Sequence, residues 1–84
     1  MKRDVILYGA KMCSDCQKLK AYMESNEIDF ELRDIKEDQA HADAVMEKTG
    51  KLGVPYLVID GEWKRGYELT KPFSEDFARS LFAN

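Results

Sequence analysis

The spacing of apolar residues changes several times along this chain, and each change marks an element. Val5-Ile6-Leu7-Tyr8 is an uninterrupted apolar run with Gly9 behind it, the pattern of a strand buried on both faces in the middle of a sheet. Gly9–Met12 reads as a loop. From Ser14 the spacing turns helical. Cys16, Leu19 and Met23 fall at i, i+3 and i+7 with Lys18, Lys20 and Glu24 facing outward, and Ser25-Asn26 ends the run. Phe30, Leu32 and Asp34 then alternate with Glu31 and Arg33, predicting a second strand over Ile28–Asp34.

A second helix is predicted over Asp38–Thr49, with Ala42, Val45, Met46 and Thr49 on its inner face and Gly50 as its stop. Gly53-Val54-Pro55 introduces a third strand, Tyr56–Ile59. Asp60-Gly61 is a two-residue hairpin signal, so Glu62–Tyr67 returns antiparallel. After Pro72, Ser74 is placed to cap a last helix that carries Glu75 and Asp76 in its first turn. Phe77, Ala78, Leu81 and Phe82 dock that helix. The order β-α-β-α-β-β-α predicts an α/β fold. Its first strand–helix–strand unit makes a parallel pair, and the hairpin completes a mixed four-stranded sheet with helices on both faces.

With 84 residues there is room for one core, so residues 1–84 are expected to form a single domain. A net charge of −3 argues against a nucleic-acid partner, which calls for a basic excess. Lys2 and Arg3 precede an apolar stretch, but Val5–Tyr8 is shorter than the ~7–15 residues of a secretory signal. No run approaches the ~18 apolar residues of a membrane helix. These features predict a soluble, cytoplasmic protein that does not engage membranes.

The two cysteines are Cys13 and Cys16. A bridge between such near neighbours closes too small a loop to fasten a fold, and a secreted disulfide scaffold would carry more cysteines, spread along the chain. The pair is therefore there for chemistry or for a metal. Zinc wants four ligands, and beyond the cysteines the chain offers only His41, expected as a surface residue of the second helix, and carboxylates; no metal is expected. A CxxC that follows a buried strand and opens a helix reads instead as a redox motif. Backbone N–H groups and the helix dipole favour an anion at that helix tip. Cys13 is thus the expected nucleophile and Cys16, one turn inside, the resolving thiol. Lys11 supports the Cys13 thiolate and Asp15 opposes it. The charged stretch Asp34–Asp38 reads as a solvated loop and helix start.

Four segments together, Val5–Gly9, Cys13-Ser14-Asp15-Cys16, Lys51-Leu52-Gly53-Val54-Pro55 and Gly66-Tyr67-Glu68, resemble the glutaredoxins across nearly the whole chain. The resemblance implies the thioredoxin-like fold and a protein-disulfide reductase that carries electrons by dithiol exchange and holds no bound cofactor. It implies a cis Val54–Pro55 bond facing Cys13, cis bonds being essentially confined to X-Pro. It also implies that Val54 pairs with a bound peptide or glutathione backbone, that Lys11 contacts glutathione, and that Gly66 and Tyr67 belong to the binding region.

Two segments depart from the family pattern. Ser14-Asp15 stands where Pro-Tyr is usual, and Arg65-Gly66-Tyr67-Glu68 has one glycine where two are usual. Both departures remove contacts to glutathione. Trp63 with Gly66-Tyr67 is closer to the NrdH-redoxins, which take electrons from a flavin-dependent thioredoxin reductase and pass them to ribonucleotide reductase; Trp63 reads equally well as a strand aromatic packing on the sheet. The electron donor is thus glutathione or a thioredoxin reductase, the partner is a disulfide-containing protein substrate with ribonucleotide reductase among the candidates, and the protein itself is expected to be a monomer. Lys64 and Arg65 are expected near the active-site edge. The rival reading is an iron–sulfur carrier or scaffold, because Ser14 in place of proline relaxes a constraint against a cluster bridging two subunits.

Overall fold

A computed structural model describes residues 4–68 and 71–82. The two basic residues of the expected N-terminal reading, Lys2 and Arg3, lie outside them. The elements are β1 (Val5–Gly9), α1 (Ser14–Ser25), β2 (Glu31–Asp34), α2 (Gln39–Thr49), β3 (Tyr56–Ile59), β4 (Glu62–Arg65) and α3 (Glu75–Phe82). They form one sheet in the order β2-β1-β3-β4. β1 pairs parallel with β2 and antiparallel with β3, and β3 pairs antiparallel with β4. This is the thioredoxin-like α/β arrangement.

The apolar run of β1 is continuous because that strand lies inside the sheet and is covered on both faces. Alternation divides its side chains. Val5 and Leu7 join Leu57 and Ile59 of β3 under Leu19 and Met23 of α1 and Ala78 and Leu81 of α3. Tyr8 joins Val58 and Val45 on the α2 face, with Ile6, Tyr56 and Trp63 packed around them. No helix among the described residues is long and apolar enough to cross a membrane.

The ends of the elements follow local chemistry. Asp38 caps α2 by accepting from the Ala40 N–H at 2.9 Å. Gly50 closes it at φ 80° while donating to the Met46 carbonyl. Asp60 and Gly61 both take positive φ, 52° and 85°, as a hairpin turn of that length requires. Ser74 accepts from the Phe77 N–H at 3.1 Å at the start of α3.

Five expectations need correction. The second strand begins at Glu31 rather than Ile28; Ile28 and Phe30 still pack on the core from irregular chain. Leu32 is 49% exposed because β2 is the sheet edge. Met46 is also largely exposed, so the inner stripe of α2 rests on Ala42 and Val45. Asp34 is not solvated: it is 8% exposed, the one buried charged side chain among the described residues. Finally, the last strand stops at Arg65, although Gly66 still donates to the Pro55 carbonyl at 2.9 Å.

Candidate active site

The chain leaves the sheet at Gly9, turns through Ala10, Lys11 and Met12, and returns as α1. Cys13 is the cap of that helix: its backbone is extended (φ −86°, ψ 115°), and its Sγ accepts from the Cys16 N–H at 3.2 Å. A sulfur so placed receives one of the N–H groups that an α-helix leaves without an internal partner. Because the first helical turn brings i+3 back beneath the cap, Cys16 lies directly inside Cys13.

The two thiols are not equivalent. Cys13 is partly exposed, whereas Cys16 is 5% exposed and packs against Gly9, where an added Cβ would lie 3.2 Å from its Sγ. Burial pushes the Cys16 thiol up to about 12, helped by its hydrogen bond with Cys13 and by the charge of Asp15. Near neutral pH Cys16 is therefore protonated and shielded, and Cys13 is the thiol that a disulfide can reach.

The opposite wall comes from the loop before β3 and the end of β4. The Cys13 thiol faces the Val54 carbonyl oxygen, 3.8 Å away, and the Val54–Pro55 bond is cis. Pro55 is buried, and Gly66 lies against it: a Cβ at Gly66 would fall 2.9 Å from Leu19 Cδ2 and 3.0 Å from the Pro55 carbonyl oxygen. Tyr67 reaches back over the same loop, its hydroxyl 2.8 Å from where a Cβ on Gly53 would lie. Its ring is edge-on to Tyr56 at 6.3 Å and lies beneath the Arg65 guanidinium at 5.5 Å. Arg65 Nε also donates to the Tyr67 carbonyl.

Cys13, Cys16, Val54, Pro55, Gly66 and Tyr67 thus converge. Lys11 is in the adjoining loop, but its ammonium pairs with Glu37 at 2.8 Å, and that carboxylate raises the lysine further. Of the two cations expected at the site edge, Arg65 is there. Lys64 instead donates to the Leu81 carbonyl at the end of α3. Trp63 stacks on Tyr8 with centroids 5.1 Å apart, a packing role on the α2 face. His41 lies beside the same Tyr8 ring.

Sequence reasoning missed Glu37, Gly9 and Gly53, whose roles arise from contacts between elements. It also passed over Met12, 92% exposed beside the nucleophile, and the half-exposed Leu52 in the facing loop. An apolar side chain in a loop with no periodic partner was the available signal for both.

The fold and the paired thiols define a thioredoxin-like protein with a thiol redox centre. A family model for glutaredoxin matches residues 5–64. The chain belongs to the glutaredoxin family, and its general activity is that of a thiol oxidoreductase. The crystal structure of the thioredoxin-like protein BC3987 superposes with a TM-score of 0.70 at 26% identity, covering 79% of this chain and 90% of that one. A single-site mutant of the same protein gives 0.69 at 26% identity over 79% and 89% of the two chains. The glutaredoxin grx-1 of Archaeoglobus fulgidus is similar in fold, with a TM-score of 0.72 at 19% identity over 96% of this chain and 87% of that one. No curated protein matches at a significant level.

Proposed function

We propose that this protein reduces protein disulfides by dithiol exchange. The observation that carries the reading is the inequality of the thiols, with Cys13 reachable at a helix cap and Cys16 buried and protonated one turn below. The Cys13 thiolate attacks one sulfur of a substrate disulfide, forming a mixed disulfide and expelling the other sulfur as a thiolate. The Cys16 sulfur then gives up its proton and attacks Cys13, which releases the second substrate thiolate and leaves the Cys13–Cys16 bridge. Two electrons have passed to the substrate, and an external reductant returns them.

As donor we favour a thioredoxin-reductase-type flavoenzyme over glutathione. Three features support this. The cation expected to meet glutathione is paired with Glu37, Ser14-Asp15 replaces the usual dipeptide, and a single glycine precedes Tyr67. Losing one charge-assisted hydrogen bond, worth roughly 1.5–3 kcal/mol, weakens binding of so small a ligand by about tenfold or more.

Coupled NADPH assays run separately with glutathione plus its reductase and with thioredoxin reductase test the donor. Rapid turnover with glutathione and none with thioredoxin reductase would reverse that assignment. Cys16→Ser is expected to accumulate mixed disulfides on Cys13 and so to reveal the target. A variant that traps nothing from an oxidised extract counts against the reductase reading.

A further inference from the structure

Formation of the bridge requires Cys16 to lose a proton, yet its sulfur is almost wholly enclosed. Besides Asp15, whose charge already acts on this thiol, the structure brings a second carboxylate to its side. In the parallel ladder Gly9 is the register partner of Asp34. Partners in adjacent strands project side chains to the same face, with strands about 4.8 Å apart. A Cβ on Gly9 would touch Cys16 Sγ at 3.2 Å, so the Asp34 side chain leaves the next strand on the face that carries the resolving thiol.

A small pocket between α1 and β2 joins the two groups. Its volume is about 90 Å³, and Cys16 and Asp34 both line it, with Leu7 as floor, Leu32 at its edge, and Lys11 and Lys20 around it. That is room enough to admit water. Asp34 commits one oxygen, Oδ1, to the Lys36 N–H at 2.8 Å.

We infer that Asp34 is the proton acceptor for Cys16 in the bridge-forming step, reached through water in this pocket. The inference rests on the dithiol reading above. As the Cys16 sulfur attacks Cys13 and the bond from Cys13 to the substrate sulfur breaks, the Cys16 proton passes through water to Asp34. The substrate leaves as a thiolate and takes a proton from solvent; Asp34 returns its own to solvent through the pocket mouth. When the bridge is reduced, the same path runs backward and delivers a proton to the departing Cys16 sulfur. The other charged groups near this path are Lys11 from the loop with its partner Glu37, Lys20 from α1 and Asp15 beside Cys16. Arg33, next to Asp34, is turned to the opposite face, where it donates to the Tyr8 hydroxyl.

The turn alone would be served as well by asparagine, whose Oδ1 accepts the same Lys36 N–H. Asp34→Asn therefore separates the two roles. Reduced protein mixed with an aromatic disulfide that releases a coloured thiol should show two phases in stopped flow. The first, dependent on reagent concentration, is attack by Cys13, and the second, independent of it, is closure by Cys16. In Asp34→Asn the second phase should slow about tenfold at pH 7 with the first unchanged; this is below the ~10²–10⁴-fold typical of direct general-base catalysis because water intervenes. The deficit should shrink as pH rises and hydroxide takes over. An unchanged second phase, or one slowed equally at every pH, overturns the inference. Should Asp34→Asn prove unfolded by circular dichroism, Leu32→Phe decides, since it fills the pocket from an exposed position; closure at the wild-type rate overturns the water route. A wild-type protein with no second phase, indistinguishable from Cys16→Ser, instead removes the dithiol reading and this inference with it.

Discussion

Gly9 and Cys16 are packed so closely that a methyl group on the glycine would lie 3.2 Å from the sulfur and 3.3 Å from Cys16 Cβ. The end of the central strand is thus the surface on which the resolving cysteine rests. Gly9→Ala forces a few tenths of an ångström of movement on a residue held in the first turn of α1. Overpacking of this kind costs about 1–3 kcal/mol. The expected result is a lower urea midpoint with an unchanged m-value, at the low end of that range because one side chain can yield.

Gly66→Ala should be the more damaging substitution. Its Cβ would meet Leu19 Cδ2 at 2.9 Å, the Pro55 carbonyl oxygen at 3.0 Å and Pro55 Cγ at 3.2 Å, and the residue's own N–H is bonded to that carbonyl. Backbone cannot rotate away as a side chain can. A loss of about 2–3 kcal/mol is expected, together with reduced disulfide reductase activity, since the loop being displaced carries Val54. Activity and urea unfolding on the same preparation check both.

Reduced protein should lose stability in alkali. The Cys16 thiol is raised from an ordinary 9.0 to about 12, so above pH 9 the unfolded chain releases a proton that the folded chain keeps. Unfolding is then favoured as pH rises towards 12, by at most about 1.4 kcal/mol per pH unit from this group. Comparison with Cys16→Ala, in reductant, isolates the slope from that of other titrating groups. Parallel slopes in the two proteins would show that Cys16 is not held protonated by the fold.

The pair between Lys11 and Glu37 is exposed, and its influence should be screened by salt. Glu37→Gln is expected to lower KM for an anionic disulfide such as oxidised glutathione by a few-fold at low ionic strength, leaving a neutral disulfide unaffected. Lys11→Gln should abolish the gain. An equal effect on both substrates would mean that Glu37 acts through loop structure instead of through the lysine's charge.

The parts of the fold that could be read in advance are those written in local pattern. The apolar run of β1, the i, i+3, i+7 stripe of α1 and the Asp60-Gly61 turn each follow from a few neighbouring residues. Leu32 and Met46 defeated the same reading because alternation says which face a side chain takes, and nothing about whether another element covers it. Asp34 shows the converse. A carboxylate in a charged stretch looks solvated until the parallel register sets it beside Gly9.

The site divides along the same line. Cys13 and Cys16 stand out through their spacing and their place between strand and helix. Val54, Pro55, Gly66 and Tyr67 could be assembled only through the family resemblance, since nothing local connects residue 54 with residue 13. Glu37 and Gly53 owe their importance to a side chain arriving from elsewhere, so no pattern in the sequence announces them.

The stacking of Trp63 on Tyr8 makes the molecule its own optical gauge. The chain has one tryptophan, and its ring lies 5.1 Å from a tyrosine that immediately precedes Gly9, the residue supporting the resolving cysteine. Tryptophan emission therefore has one source, linked through Tyr8 to the strand end on which Cys16 rests. Opening and closing of the bridge are expected to register there as a change in emission, with no label attached.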